Sequence, residues 1–378
     1  MKVLWVFNHP APYKVAFLKE LGPRVGEVVA VYERRGESDR NDKWYENREA
    51  CCPGYRPLYL KGRSIGKHNV YSRELPKIVE FEKPDVIVVN GYSTLAEMHL
   101  ISYLKRKKIP YVFAINGGIV KEREPWFKKR LKEHFIKGAA LYLSPDVHSS
   151  SYLAHYGADL GKIKIYPYST IREENIPETP LAHEQKMAYW SEDPLTKAAM
   201  PGIQRVYLAI GSYIERKNGQ QLLAYWTKVP SSYLLIMIGE GGQKEQYLSF
   251  IQKHGLKNVV LYPFLNHEGI LKALYHADGS IFLTKEDIYG HVVNESLSQG
   301  TPVIGSIHSN AALKLLANDR AGWLIDPSSE EAFLKAINEP LSDEKGEAAI
   351  EVARRNTVET MVTAHLELLS EFWKGSSK

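Results

Sequence analysis

A chain of 378 residues is too long for one ordinary hydrophobic core, so two domains of roughly 150 to 200 residues each are expected. Hydrophobic residues at 44% and charged residues at 25% exclude a disordered chain, and no apolar run approaches the roughly 20 residues needed to cross a bilayer. The net charge of +5 is uneven: residues 1–170 hold 29 Lys+Arg against 18 Asp+Glu, a net of +11, which leaves 20 against 26 for residues 171–378. Such a basic half suits nucleic acid, anionic lipid or an anionic substrate, and charge alone does not choose among them.

The opening "MKVLWVFNHPAPYKVAF" is broken by Asn8, His9 and Pro10 and reads as a first strand, not a leader, which places the chain in the cytoplasm. Cys51 and Cys52 are adjacent, so reduced thiols and no metal site are expected. Strand patterns follow at "EVVAVYE", "VIVVNG", "YVFAIN", "LYLSP" and "KIKIYPY", alternating with helical patterns. "KEREPWFKKRLKEHFIKGA" is a basic helix with Trp126, Phe127, Leu131 and Phe135 at helical spacing. That stripe suits either a core face or, beside so much positive charge, an anionic membrane surface. Residues 169–202 lose the alternation and gather Pro and charge, as an interdomain connection does. A second series, "VYLAIGS", "YLLIMIGEG", "NVVLYPF", "SIFLTK" and "TPVIGS", predicts another parallel sheet covered by helices. "TVETMVTAHLELLSEFWKGSSK" reads as a terminal amphipathic helix. The resulting division is an N-terminal Rossmann-like domain 1–168, a connection 169–202, a second Rossmann-like domain 203–355 and the helix 356–378.

Most of the chemistry concentrates in "TKEDIYGHVVNESLSQGTPVIG". Here an apolar strand meets a helix at "EDIYG", and in an open α/β sheet that junction offers helix-start amides to an anion. Gly290 lets backbone come close, and amides from Tyr289 to Val292, His291 included, would face a phosphate. Carboxylates there repel phosphate but accept hydrogen bonds from vicinal diols, so Asp287 or Glu286 and Glu295 suit the sugars on either side of a diphosphate. The alternatives are a turn or N-cap Asp287 and a solvated Glu295.

"EDIYGHVVNESLSQGTPVIG" resembles the Glu-x7-Glu region of retaining GT-B glycosyltransferases of family 4, with Asp287 and Glu295 at the spacing and Asp replacing the first Glu. Glu286 supplies that carboxylate if the turn is one residue longer. Three further segments fall in the family's order. "LAIGSYIERKNGQQLL" places Gly211, Arg216 and Lys217 where the family holds the diphosphate, with Ser212 where an Arg is common. "MIGEGGQKEQYL" offers Gly239, Gly241 and Gly242 for backbone approach to the nucleotide, and "VVLYPFLNHEGILKALYHAD", with Phe264, resembles the base-reading segment. In the first half the match is thinner. His9, Tyr13 and Lys14 resemble the loop of polysaccharide-assembly members, and Asn116-Gly117 stands where the family has a cleft histidine.

The resemblance implies an α/β GT-B fold: two Rossmann-like domains across a deep cleft, with the C-terminal helix packed back on the first. It implies transfer of a hexose from a nucleotide-diphosphate sugar, UDP foremost, with retention. Asp287, Glu286, Lys217, Arg216 and Glu295 would form the catalytic set, with no metal and no cofactor. The implied acceptor is a glycan or lipid-diphosphate-linked glycan at the inner membrane face. A nucleotide-sugar 2-epimerase of the same architecture is the competing enzyme. A basic nucleic-acid binder is the competing class, though paired aromatic and basic signatures for nucleic acid are absent and none is expected as a partner.

Overall fold

The computed structural model describes residues 1–36, 52–65, 69–121, 123–318, 320–339 and 342–376. Cys51 lies outside the described residues, and Cys52 is a free thiol. The chain divides into two compact units, residues 1–168 with 358–378, and residues 169–357.

The first unit holds β1 (Lys2–Phe7), α1 (Pro12–Val25), β2 (Glu27–Tyr32), β3 (Tyr55–Tyr59), a hairpin of β4 (Arg63–Ile65) and β5 (Asn69–Tyr71), α2 (Glu74–Glu82), β6 (Val86–Asn90), α3 (Leu95–Lys107), β7 (Val112–Ala114), α4 (Trp126–Ile136), β8 (Leu141–Ser144), α5 (Val147–His155) and β9 (Ile163–Ile165). Its main sheet runs β3-β2-β1-β6-β7-β8-β9, and every pairing in it is parallel. β1, β2 and β6 are continuous apolar runs because helices cover both faces of a parallel sheet. β3 was not legible as a strand because Pro57 interrupts it. It takes the sheet edge, where a missing backbone N–H breaks no ladder.

The second unit begins with α6 (His183–Glu192) and β10 (Arg205–Ile210), followed by α7 (Gly219–Trp226), β11 (Tyr233–Ile238), α8 (Lys244–His254), β12 (Val259–Tyr262), α9 (His267–Tyr275), β13 (Gly279–Phe282), α10 (His291–Ser298), β14 (Val303–Ser306), α11 (Asn310–Leu315), β15 (Gly322–Ile325), α12 (Glu330–Asn338) and α13 (Asp343–Arg354). Its sheet runs β12-β11-β10-β13-β14-β15, again all parallel. Residues 169–202 belong to this unit. Trp190 of α6 is buried in its core, and the indole N–H donates to the His276 carbonyl at 2.8 Å.

The terminal helix α14 (Val358–Ser376) returns to the first unit and packs along α1. Its buried His365 lies 4.7 Å from the Phe17 ring and 5.6 Å from the Trp5 ring. Burial holds that imidazole well below its ordinary range, at about 4, so it packs as a neutral ring.

Candidate functional site

In the second sheet the strand order reverses between β10 and β13, the place where an open α/β sheet leaves a crevice at its carboxyl end. Two turns leave from there and are tied together. The carbonyl of Arg216 accepts the Lys285 N–H at 2.8 Å and the Thr284 hydroxyl at 2.9 Å, and the Arg216 guanidinium donates to the Glu286 carbonyl at 3.3 Å. Asn218 takes a left-handed conformation, φ 62°, to turn the first of them into α7.

Charge converges on Asp287. Lys217 Nζ lies 2.7 Å and Arg216 Nη1 3.2 Å from its Oδ2, while Oδ1 accepts the Tyr289 N–H at 3.3 Å. Burial pushes this carboxyl up, but Lys217, Arg216 and the Tyr289 amide outweigh burial and hold it below the usual range. The Lys217 ammonium also sits 4.7 Å from the Phe282 ring centroid. Of the two carboxylates left open by the sequence, Asp287 meets the cations. Glu286 is exposed and engages this network through its carbonyl.

Glu295 behaves differently. On α10 it is mostly buried, with Oε1 3.6 Å from His267 Nε2, and its pKa is raised to about 7 by burial, against a lowering pull from Lys217. Two acids of one site therefore rest in different states at neutral pH, Asp287 ionised and Glu295 close to its midpoint. His267 was not legible as a neighbour of Glu295, because the two stand on different helices.

Gly290 is the N-cap of α10 at φ 100°, and a Cβ there would lie 2.6 Å from Ser309 Oγ and 2.8 Å from the Phe282 ring. Only glycine fits. α10 starts at His291, and the amides of its first turn, from His291 and Val292, point out along the helix axis. Tyr289 departs from the expectation: its amide is taken by Asp287, its side chain is buried, and its carbonyl accepts from Ser309 Oγ and the Ala311 N–H. Gly239 and Gly241 are also required by the fold itself. A Cβ on them would strike the Gly211 carbonyl at 2.1 Å and the Tyr213 carbonyl at 2.6 Å, so these glycines make room for the β10 turn of their own chain. Gly242 faces open space, and Ser212 and Phe264 are exposed.

In the first unit, Tyr13, Lys14 and Asn116 line one cavity with Phe7, Tyr166 and Tyr168. Lys14 is buried, 3.5 Å from Asn8 Oδ1 and 4.9 Å from the Phe7 ring. His9 is half-buried and its carbonyl accepts the Ala11 N–H, while Gly117 takes φ 149°. The same end of this sheet holds a group not singled out in the sequence: Glu33 accepts from the Thr94 hydroxyl, and Thr94 and Glu97 close a capping box on α3. The Ser93-Thr94-x-x-Glu97 pattern was a readable signal for that cap.

Two parallel-sheet Rossmann-like units with a returning terminal helix constitute the GT-B fold. Anabaena Alr3699/HepE in complex with UDP superposes with a TM-score of 0.76 at 15% identity, covering 98% of this chain and 100% of that one. WaaG, a glycosyltransferase involved in lipopolysaccharide biosynthesis, superposes at 0.66 with 15% identity, covering 97% and 99%. Residues 196–357, within the second unit, match the family described as glycosyl transferases group 1. Among curated proteins, the chain is 26% identical over 141 residues to the N-acetylgalactosamine-N,N'-diacetylbacillosaminyl-diphospho-undecaprenol 4-alpha-N-acetylgalactosaminyltransferase of Campylobacter jejuni. It is 23% identical over 180 residues to the lipopolysaccharide core biosynthesis glycosyltransferase LpsE of Rhizobium meliloti. These matches span 36% and 46% of this chain, and 38% and 52% of the relatives' lengths.

Proposed function

We propose that the protein is a retaining glycosyltransferase that moves a hexose from a UDP-sugar to a glycan or lipid-linked glycan acceptor in surface-polysaccharide synthesis. The observation that carries this reading is the Lys217–Asp287–Arg216 cluster beside the glycine-capped start of α10, within the residues that match glycosyl transferases group 1. Cleavage of the sugar–phosphate bond develops negative charge on the leaving diphosphate, and fixed donors aimed there lower the barrier. Lys217, Arg216 and the amides of His291 and Val292 are such donors.

Asp287 holds both cations in place before the donor arrives, which limits the reorganisation needed at the moment of reaction. When the diphosphate takes up that charge, the Asp287 carboxylate is released to accept a hydroxyl of the donor hexose. Glu295, once ionised, accepts two hydrogen bonds from the ribose diol, and His267 orients it. Retention follows if the acceptor hydroxyl attacks from the face the diphosphate leaves and gives its proton to that phosphate, a route that asks for no protein base. Cationic side chains stand where a metal ion would otherwise screen the phosphates.

Product analysis tests the assignment. The purified protein, given a UDP-hexose and lipid-linked acceptor extract, is expected to form a new glycosidic bond of unchanged anomeric configuration and to release UDP. An epimerised UDP-sugar formed without acceptor would contradict it.

A further inference from the structure

Among the described residues Lys14 is the only buried lysine or arginine, 7% exposed. Its ammonium has one amide oxygen, Asn8 Oδ1, at 3.5 Å and the Phe7 ring centroid at 4.9 Å, and no carboxylate among the described residues forms an ion pair with it. Glu97 feels that charge, but its Oε2 is taken by the Ser93 hydroxyl and the Thr94 amide, both at 3.1 Å. A buried ammonium without a counter-ion costs stability, and proteins keep such a group where a ligand supplies the missing charge.

The cavity that Lys14 lines lies at the carboxyl ends of β1 and β6, between which the strand order of the first sheet reverses. Phe7 and Asn90 end those two strands, and Asn116 follows β7. Phe7, Tyr166, Tyr168 and His365 are buried in its wall, while Tyr13, Asn90 and Asn116 are half-buried at its mouth. The Asn90 and Asn116 side-chain amides make no hydrogen bond to any described residue, so both are open to a ligand. His365 is neutral, which leaves Lys14 as the single charge in the wall.

Size and charge together choose the ligand. The enclosed space is about 30 Å³, room for about two or three water-sized atoms, within a hollow of about 400 Å³ that includes the open mouth. A carboxylate fits inside and a diphosphate does not. One ammonium balances one carboxylate, whereas a diphosphate would bring excess negative charge toward Glu33 and Glu97 at the same end of the sheet. Aromatic walls with a few placed polar groups suit the C–H faces and hydroxyls of a sugar ring seated at the mouth.

We propose that this cavity receives the carboxylate of an acidic sugar, with Lys14 as its counter-ion, Asn90 and Asn116 on the ring hydroxyls and Tyr13 against the ring. That this sugar belongs to the acceptor, a glycan bearing a uronic-acid unit, rests on the sugar-transfer reading; the carboxylate site itself stands on the cavity.

The test is an NMR titration of the full chain with methyl glucuronide and methyl glucoside, which differ only at C6. The glucuronide is expected to bind about tenfold or more tightly. Lys14→Met keeps the length of the side chain, removes its charge and should bring the two sugars to equal affinity, with circular dichroism unchanged. In competition, acetate should displace the glucuronide from wild type at a lower concentration than inorganic phosphate does. Wild-type protein that binds the glucuronide no better than the glucoside would overturn the proposal, whatever the variant shows. So would a preference that survives Lys14→Met, or phosphate that outcompetes acetate. Glucuronide binding through Lys14 in a protein that UDP does not bind would count against the sugar-transfer reading alone.

Discussion

Counted along the strands of each main sheet, the second unit runs 3-2-1-4-5-6 and the first runs 3-2-1-4-5-6-7, yet their reversal points carry opposite chemistry. In the second unit the helix leaving that point, α10, has a glycine N-cap and no side-chain cap, with Lys217 and Arg216 beside it. In the first unit the corresponding helix, α3, is closed by its own residues: Thr94 accepts from the Glu97 amide, and Glu97 accepts from Thr94. Glu33 adds a second buried acid on the Thr94 hydroxyl. An anion approaching α3 would meet carboxyl oxygens where α10 offers amides and cations. One fold thus sets cations and a glycine-capped helix start at the crossover of one copy and carboxyl groups at that of the other, and a handful of side chains make the difference.

Removing Lys217 should do most to erase that contrast. Lys217→Ala is expected to lower kcat/KM ten- to hundredfold, about 1.4 to 2.7 kcal/mol of transition-state stabilisation, with the fold intact. Near-normal kinetics would remove the cation from the mechanism. The next largest effect belongs to Asp287→Asn, which leaves both cations without their carboxylate and should cost roughly tenfold in kcat/KM. Glu286→Gln, at an exposed position, should stay within about twofold. The reverse ranking would move the sugar-facing role to Glu286.

Two buried acids then separate the units. Glu295 has its pKa raised to about 7 and Glu33 to about 8, each chiefly by burial, and the Glu97 charge adds to the rise at Glu33. A carboxyl with a raised folded pKa binds its proton more tightly in the native state, so stability falls as pH climbs from the unfolded value of 4.5 through the folded one. Glu295→Gln and Glu33→Gln should therefore each stabilise the ligand-free protein at pH 8 by about 1–3 kcal/mol, read as a higher Tm. Their effects on the donor should diverge. Glu295→Gln should weaken UDP-sugar binding by about tenfold at pH 8, and less at pH 6, where wild-type Glu295 is itself protonated. Glu33→Gln should leave donor binding unchanged. Equal donor affinities in wild type and Glu295→Gln at pH 8 would detach Glu295 from the ribose.

Much of this division was readable before any coordinates. β1, β2, β6, β10 and β11 are dominated by long apolar runs, and a parallel sheet buried on both faces permits little else. The edge strand β3, with its proline, and the short β15, which opens on Gly322, were lost because their local signal is weak and only pairing defines them. At the site, Lys217, Asp287, Gly290 and Glu295 were all nominated. Their arrangement was not legible, because 70 positions separate Lys217 from Asp287 and only the fold closes that gap. Composition could not show that Gly239 and Gly241 accommodate the chain's own backbone. Periodicity likewise identified the α4 stripe without revealing which side of it met water.

The central claim is that the second reversal point binds a nucleoside diphosphate through Lys217, and a thermal-shift titration of wild type and Lys217→Ala against UDP, GDP and ADP tests it most directly. A ligand at a hundred times its Kd adds about 2.7 kcal/mol of stability, so UDP should raise the wild-type Tm by several degrees, more than GDP or ADP. The same UDP concentration should give Lys217→Ala a shift about half as large or smaller. A wild-type Tm that none of the three nucleotides moves, or a Lys217→Ala titration that overlays wild type, would contradict the account.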